Sequence, residues 1–451
     1  MTAYPPDNWD NPPHRSAVTW VVAIAAFAIV FDGYDLVVYG TILPLLLDDP
    51  GHLGHLTPSQ AGALGAYALT GLMVGALLTG AVGDYLGRRR MMLINITWFS
   101  IGMGLTALAP TVTTFGLLRF LTGIGMGGLA ATAAVMVAEV APAGKRNLYN
   151  AIVYCGMPVG GVLASLIAIV LRDSIGWRGL FWIGTLPLVA LLPLALLKLP
   201  ESPRWLLSRG REHDAETLSS RTGIPLPQTV ETPPDGIQGK VGYAALATRR
   251  YARTTALLGI MSFSGMLITY GLNTWLPRIM ENTGFNAKDS LSFLLVLNGG
   301  AIIGGLLASK VADHLGAQRV VITTFGLAAL ALVLLTVGFP LPLLLASVAI
   351  AGVGTIGTQV LIYGFASNHY STEARGAGVA WCAGFGRLGG ILGPLIGGAL
   401  ISAGIGSQGA FYIFSGVAAL GAIVTTFVPR RTRNLDAAPA TADASPSLTT
   451  S

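Results

Sequence analysis

Four ionisable side chains of this 451-residue chain, Asp32, Asp35, Arg119 and Arg387, lie inside long apolar runs. A charge held in an apolar interior is costly, so each one is a candidate for a function that needs it. Asp32 and Asp35 stand three residues apart in FDGYDLVVYG, with Tyr39 seven beyond Asp32, so a helix puts all three on one face. Two carboxylates this close cannot both ionise cheaply, and a carboxylate that takes up and returns a proton is what proton-coupled transport requires. Arg387, in CAGFGRLGGILGP, cannot discard its charge. Its planar fork fits a carboxylate bidentately, which makes it the first choice for holding an anionic substrate. A second reading stays open for each group: the aspartates neutralise Arg119 or Arg387 and hold helices together, and Arg387 is paired permanently with Asp32 or Asp35.

Uncharged groups accompany these four in the apolar runs: Tyr39, Tyr154, Tyr270, Asn273, Trp275, Asn298, Gln359, Tyr363, Trp381 and Phe385. A flat ring suits aromatic walls with an amide or hydroxyl at its edge, so these are candidate substrate contacts. Tryptophans such as Trp275 and Trp381 are more often interfacial or core residues. Gly33, between the aspartates, suits either a local unwinding or close helix packing. Arg119 lies nearer one end of its run and is expected to relay protons or hold Asp35, while Asp84, Arg88, Glu139, Arg146 and Asp313 lie at the ends of runs and are expected to gate.

The elements that position these groups are transmembrane helices. The chain is 53% hydrophobic and 11% charged, against about 25% charged in soluble domains, a deficit that lipid as the main solvent explains. Runs of about 20 apolar residues are long enough to span a bilayer. Twelve occur, at 17–47, 58–82, 91–110, 113–141, 147–171, 178–197, 254–280, 290–309, 320–339, 341–368, 376–403 and 409–428. With both termini in the cytoplasm, only Arg172, Arg178, Arg278 and Lys288 fall outside, and the basic excess behind the net charge of +6 becomes a topology signal rather than a nucleic-acid footprint. Residues 1–16 form a polar N-terminal segment without the features of a cleaved signal peptide. Residues 198–253 form a cytoplasmic linker with a Pro-rich stretch, and 429–451 a disordered tail. Cys155 and Cys382 lie in apolar stretches and suggest neither a disulfide nor a metal site.

The two six-helix halves, 17–197 and 254–428, repeat in sequence. GALLTGAVGDYLGRRR (75–90) aligns with GGLLASKVADHLGAQR (304–319), placing Gly75, Asp84, Gly87 and Arg90 on Gly304, Asp313, Gly316 and Arg319. The same offset puts Gly123, Gly125 and Gly128 on Gly352, Gly354 and Gly357, and Arg146 on Arg375. Two parallel-related halves joined by a long connection resemble the major facilitator superfamily, an all-α fold of twelve transmembrane helices in two pseudo-symmetric bundles that rock around a central site. The loop Gly80-x3-Asp84-x2-Gly87-Arg88-Arg89 is the most specific mark, and the second copy departs from it with Gly316-Ala317-Gln318-Arg319. Arg119-x3-Gly123-x3-Gly127 resembles the superfamily's cavity-facing arginine.

Within the superfamily, DGYDLVVYG, NTWLP (273–277) and ARGAGVAWCAGFGRLGGILGPLIGG (374–398) resemble the aromatic acid:proton symporters, closest to the benzoate and 4-hydroxybenzoate branch. PESPRWLL (200–207) is shared with sugar porters. The resemblance implies import of benzoate-type acids for ring degradation, with Asp32 and Asp35 as the essential first-helix pair, Asp84 at the gate, and Arg119 and Arg387 as the buried arginines. It implies a bacterial cytoplasmic membrane, an aromatic carboxylate and protons as partners, no cofactor, no nucleic acid, and function as a monomer. The absence of hydrolase, nucleotide and metal motifs argues against an enzyme. A symporter of another organic anion or sugar, a drug effluxer and a non-transporting membrane sensor of aromatic acids remain as alternatives.

Overall fold

In the computed structural model the described residues are 11–142, 145–226, 243–248, 251–370 and 372–429. Most of the expected N-terminal segment, most of the Pro-rich linker and all but the first residue of the expected tail lie outside them. Among the described residues the fold is entirely helical. The first half comprises α1 (Pro12–Asp48), α2 (Pro58–Leu86), α3 (Arg88–Ala107), α4 (Val112–Val140), α5 (Arg146–Tyr154), α6 (Gly156–Ile183), α7 (Leu186–Val189) and α8 (Leu191–Lys198). The linker carries α9 (Pro203–Ser208), α10 (Glu212–Thr222) and α11 (Tyr243–Leu246). The second half comprises α12 (Ala252–Asn282), α13 (Ala287–Leu315), α14 (Ala317–Leu334), α15 (Leu341–Gly352), a π-turn at Val353–Gly357, α16 (Thr358–His369), α17 (Thr372–Ser402) and α18 (Ser407–Thr426).

Ten of these stretches are long and apolar enough to cross a membrane. The helices of the other two expected spans fall short of that mark for physical reasons. α3 opens with Arg88, Arg89 and Arg90, which lower its mean hydropathy. The sixth span follows a sharp turn at Gly176, whose φ of 67° interrupts α6, and then breaks again into the short α7 and α8. The span expected at 178–197 is therefore present but segmented, and the third begins at Arg88 rather than residue 91. The fifth span also bends, between Tyr154 and Gly156, where Pro158 has no N–H to give the Tyr154 carbonyl.

Local chemistry sets the helix ends. Thr57 and Gln60 form a capping box with Pro58 at the start of α2. The Thr111 hydroxyl and the Asn286 amide oxygen cap α4 and α13. The repeat is visible in the backbone: Gly87 ends α2 at φ 92° and Gly316 ends α13 at φ 87°, a conformation that favours glycine. The two copies of the loop thus share their turn even where their charges differ.

The halves meet at the end of the bundle carrying the α1–α2 and α12–α13 connections. Small residues let the backbones touch: a Cβ on Gly40 would collide with the Asn273 carbonyl, and one on Gly62 would lie 2.5 Å from the Pro394 oxygen. Arg278 on α12 donates to Asp48 on α1 at 2.6 Å, tying the halves together there. Glu281 lies 3.8 Å from the same guanidinium.

Candidate functional site

α1 is a continuous helix through FDGYDLVVYG, so Gly33 does not unwind it. Its missing side chain serves packing instead, because a Cβ there would collide with the Met157 carbonyl of the fifth span. That contact draws the aspartate face of α1 against α6, and the two carboxylates then meet different fates. Asp35 is fully buried and accepts a charge-assisted hydrogen bond from Arg119 of α4, itself 1% exposed. The Arg119 guanidinium also lies 5.6 Å above the Tyr39 ring and 5.7 Å above that of Phe181. Tyr39 donates its hydroxyl to the Ala61 carbonyl at 2.6 Å. The pair is sealed from solvent, with Asp35 Oδ2 and Arg119 Nε left without a hydrogen-bond partner among the described residues.

Asp32 is 3% exposed, yet it has no hydrogen-bonding or ionic partner among the described residues, and its Oδ1 is wholly buried. Arg387 of α17 is half-buried and likewise has no ion-pair partner among them. The two face each other electrostatically without pairing, and Tyr154, Tyr270 and Tyr363 lie within reach of the same guanidinium. Of the pairings left open, Asp35 is joined to Arg119, while Asp32 and Arg387 have no ion pair among the described residues. A buried carboxylate that can bind a proton beside a guanidinium that cannot lose one is suited to taking up a proton and an anion together.

The walls come from both halves. From the first, Tyr154 sits at the bend of the fifth span, 40% exposed, its hydroxyl 3.4 Å from the Ala130 carbonyl. From the second, Tyr270 lies against Gly390, one turn beyond Arg387, where a Cβ would be 2.9 Å from the ring. Trp381 stacks on Phe385 with centroids 5.2 Å apart, and Phe263 closes on Phe385 at 5.8 Å. Trp381 donates to the Thr255 carbonyl at 2.9 Å, which fixes its ring. Gln359 donates to the Ser262 hydroxyl at 2.8 Å, just after the π-turn in the tenth span, a device found often at functional sites. Ser262, absent from the sequence-based candidates, donates in turn to the Cys382 carbonyl at 2.8 Å.

Other candidates are placed elsewhere. Asn298 donates to Asn273 at 2.9 Å, and its amide abuts Gly161 of the first half, so this pair stitches α12, α13 and α6 where the halves meet. Trp275 is fully buried and donates to the Pro394 carbonyl at 2.8 Å, a packing role. At the end opposite the Asp48–Arg278 pair, Arg88 bridges Asp84 at 2.8 Å and Glu139 at 3.6 Å. The PESPRWLL segment and the Arg209 just after it dock there: Trp205 and Arg209 each donate to the Asp84 carbonyl at 2.7 Å, and Glu201 accepts from the Arg89 backbone at 3.0 Å. Asp84, Arg88, Glu139, Trp205 and Arg209 line a cavity of about 350 Å³. Among the described residues Arg146 bonds only the Ala141 carbonyl, at 3.4 Å, and Asp313 is exposed in the second copy of the loop without an ion pair.

Comparison with known proteins agrees with this architecture. Residues 25–338 and 287–450 match the Major Facilitator Superfamily. The gentisate transporter of Corynebacterium glutamicum is 31% identical over 91% of this chain and 87% of its own length. The benzoate transport protein of Acinetobacter baylyi is 32% identical over 90% and 88%. The gallate transporter of Pseudomonas putida is 32% identical over 88% of each. Among solved structures, a D-xylose–proton symporter superposes with a TM-score of 0.73 at 18% identity, over 91% of this chain and 98% of that one. The chain therefore belongs to the major facilitator superfamily, within a group of relatives named as transporters of aromatic acids.

Proposed function

We propose that the protein is a secondary active transporter importing a small aromatic carboxylate, of the benzoate or hydroxybenzoate type, by proton symport with alternating access. One observation carries this reading: Arg387 and Asp32 face each other between aromatic walls, and neither has an ionic partner among the described residues. The names of the relatives favour an aromatic acid as the occupant. In this reading the substrate carboxylate pairs with Arg387. Its ring lies among Tyr154, Tyr270, Phe385 and Trp381, near Gln359, while Asn273 and Asn298 hold the halves together away from it. Asp32 takes the coupled proton, and neutralising it removes a charge that would repel the incoming anion, so each ligand favours binding of the other. Asp35, Arg119 and Tyr39 hold the first helix in register with that step.

The end sealed by Asp48 and Arg278 faces outward, and both chain termini face the cytoplasm across a bacterial inner membrane. Asp84, Arg88 and Glu139 gate the inner end, braced by the linker through Trp205 and Arg209, with Arg146 and Asp313 contributing in other states of the cycle. The protein acts as a monomer.

Asp32→Asn tests the coupling role. The variant is expected to lose pH-gradient-driven accumulation in proteoliposomes while still exchanging internal for external substrate, because the guanidinium that binds the anion is intact. Accumulation with wild-type pH dependence would sink the assignment.

A further inference from the structure

Asp32 and Asp35 lie about 60° apart around the axis of α1, so a modest turn of that helix would bring Asp32 toward Arg119 in place of Asp35. Something must hold the azimuth of α1 if one carboxylate is to stay paired and the other free. Backbone packing does not suffice. Gly33 and Gly160 bring α1 and α6 into direct contact, a Cβ on Gly160 lying 2.6 Å from the Tyr34 nitrogen. A face without side chains offers few ridges to resist rotation. Arg119 holds one side, through the Asp35 carboxylate and, at 3.4 Å, the Asp35 carbonyl. Tyr34, about 100° or more around the axis from either aspartate, holds another. It is 2% exposed and donates its hydroxyl to the Leu180 carbonyl of the sixth span at 2.8 Å. That acceptor is available because the span breaks there: the Gly184 N–H, which would meet Leu180 in an unbroken helix, bonds Phe181 at 3.0 Å instead. The support is firm, since Trp177 and Phe181 pack edge-on against Phe115 with centroids 5.8 and 5.6 Å away.

Resting on the transport reading above, we infer that Tyr34 is a positioning residue for proton coupling. Its bond to Leu180 holds the rotation of α1 that gives Asp35 to Arg119 and leaves Asp32 as the single carboxylate that titrates. The break in the sixth span thereby gains a role: it supplies the buried acceptor on which the first helix is hung. Without the hydroxyl, α1 turns more freely, Arg119 is shared between two carboxylates, and the one left over at any moment takes the proton. A proton carried on Asp35 is no longer tied to the anion at Arg387, so it leaks without substrate.

The test is Tyr34→Phe, which removes one hydroxyl and keeps the ring, compared with wild type in proteoliposomes supplied with 4-hydroxybenzoate. Accumulation driven by a pH gradient should fall about threefold or more, the scale of one lost hydrogen bond, while substrate exchange falls less. Infrared difference spectra on acidification give a signature that a merely structural tie would not move. Wild type should show a buried carboxyl band that Asp32→Asn abolishes. Tyr34→Phe should add a second band, one that survives in Tyr34→Phe/Asp32→Asn. Accumulation and exchange lost in equal proportion, or a variant with the wild-type band alone, overturns the inference. So does a further wild-type band abolished by Asp35→Asn, a measurement for which Tyr34→Phe need not fold. If wild type carries no acid, the transport reading fails, and the band count still decides this inference.

Discussion

Replacing Arg387 by leucine should lower kcat/KM for uptake of an aromatic acid at least about a hundredfold. A charge-assisted bond to a carboxylate contributes about 1.5–3 kcal/mol, and a bidentate one lies at the upper end of that range, where 1.4 kcal/mol is a factor of ten. The guanidinium is half-buried with no ion pair among the described residues, so its removal breaks no internal salt bridge and the loss falls on the ligand. Arg387→Lys should retain part of the activity, since an ammonium keeps the charge but not the planar fork. Initial rates of radiolabelled uptake into proteoliposomes check both. An unchanged KM in Arg387→Leu would mean that the carboxylate binds elsewhere.

The second large effect belongs to the Asp35–Arg119 pair, and it should appear in stability. Both side chains are sealed, so removing one partner strands a charge in the bundle, at a cost of about 3–5 kcal/mol. Arg119→Leu and Asp35→Leu should each lower the unfolding temperature in detergent markedly. The double variant should be more stable than either single one, because it buries no unpaired charge. Additive destabilisation across the cycle would contradict the sealed pair. The same logic separates the two aspartates: Asp32→Asn should leave stability near wild type, since Asp32 has no partner among the described residues to lose.

Much of this architecture is legible in the sequence because the bilayer imposes a length. Twelve apolar runs stand out in the sequence, ten of them in helices long and apolar enough to cross a membrane, and the repeat around Asp84 and Asp313 supplies the pseudo-symmetry, down to the matching turns at Gly87 and Gly316. The segmentation of the sixth span is less legible, since Gly176 resembles any other glycine in a helix-rich membrane chain until its φ is seen. The four intramembrane charges identify themselves by their expense. Which charge pairs with which does not follow from the sequence, because Asp32 and Asp35 share a face and two arginines are available. Packing at Gly33 and the register of α4 decide it. Ser262 escaped notice because serine is ordinary in membrane helices, and only its position against Gly386 and Gln359 gives it a role. Trp205 belongs to PESPRWLL and Arg209 lies two residues beyond it, but their docking on the Asp84 carbonyl is a long-range contact. The Asn273–Asn298 bond likewise depends on how α12 and α13 pack.

Under the proposed function a proton gradient drives an aromatic carboxylate through this site. Weak aromatic acids also cross lipid as the neutral form and collect in alkaline vesicles unaided, so protein-free and Arg387→Leu vesicles of the same lipid must be run alongside. The direct measurement is accumulation of labelled 4-hydroxybenzoate in proteoliposomes made alkaline inside. Proton-coupled transport predicts accumulation much faster than in both controls, abolished by a protonophore. Uptake no faster than in protein-free vesicles, or uptake indifferent to the gradient, would contradict it.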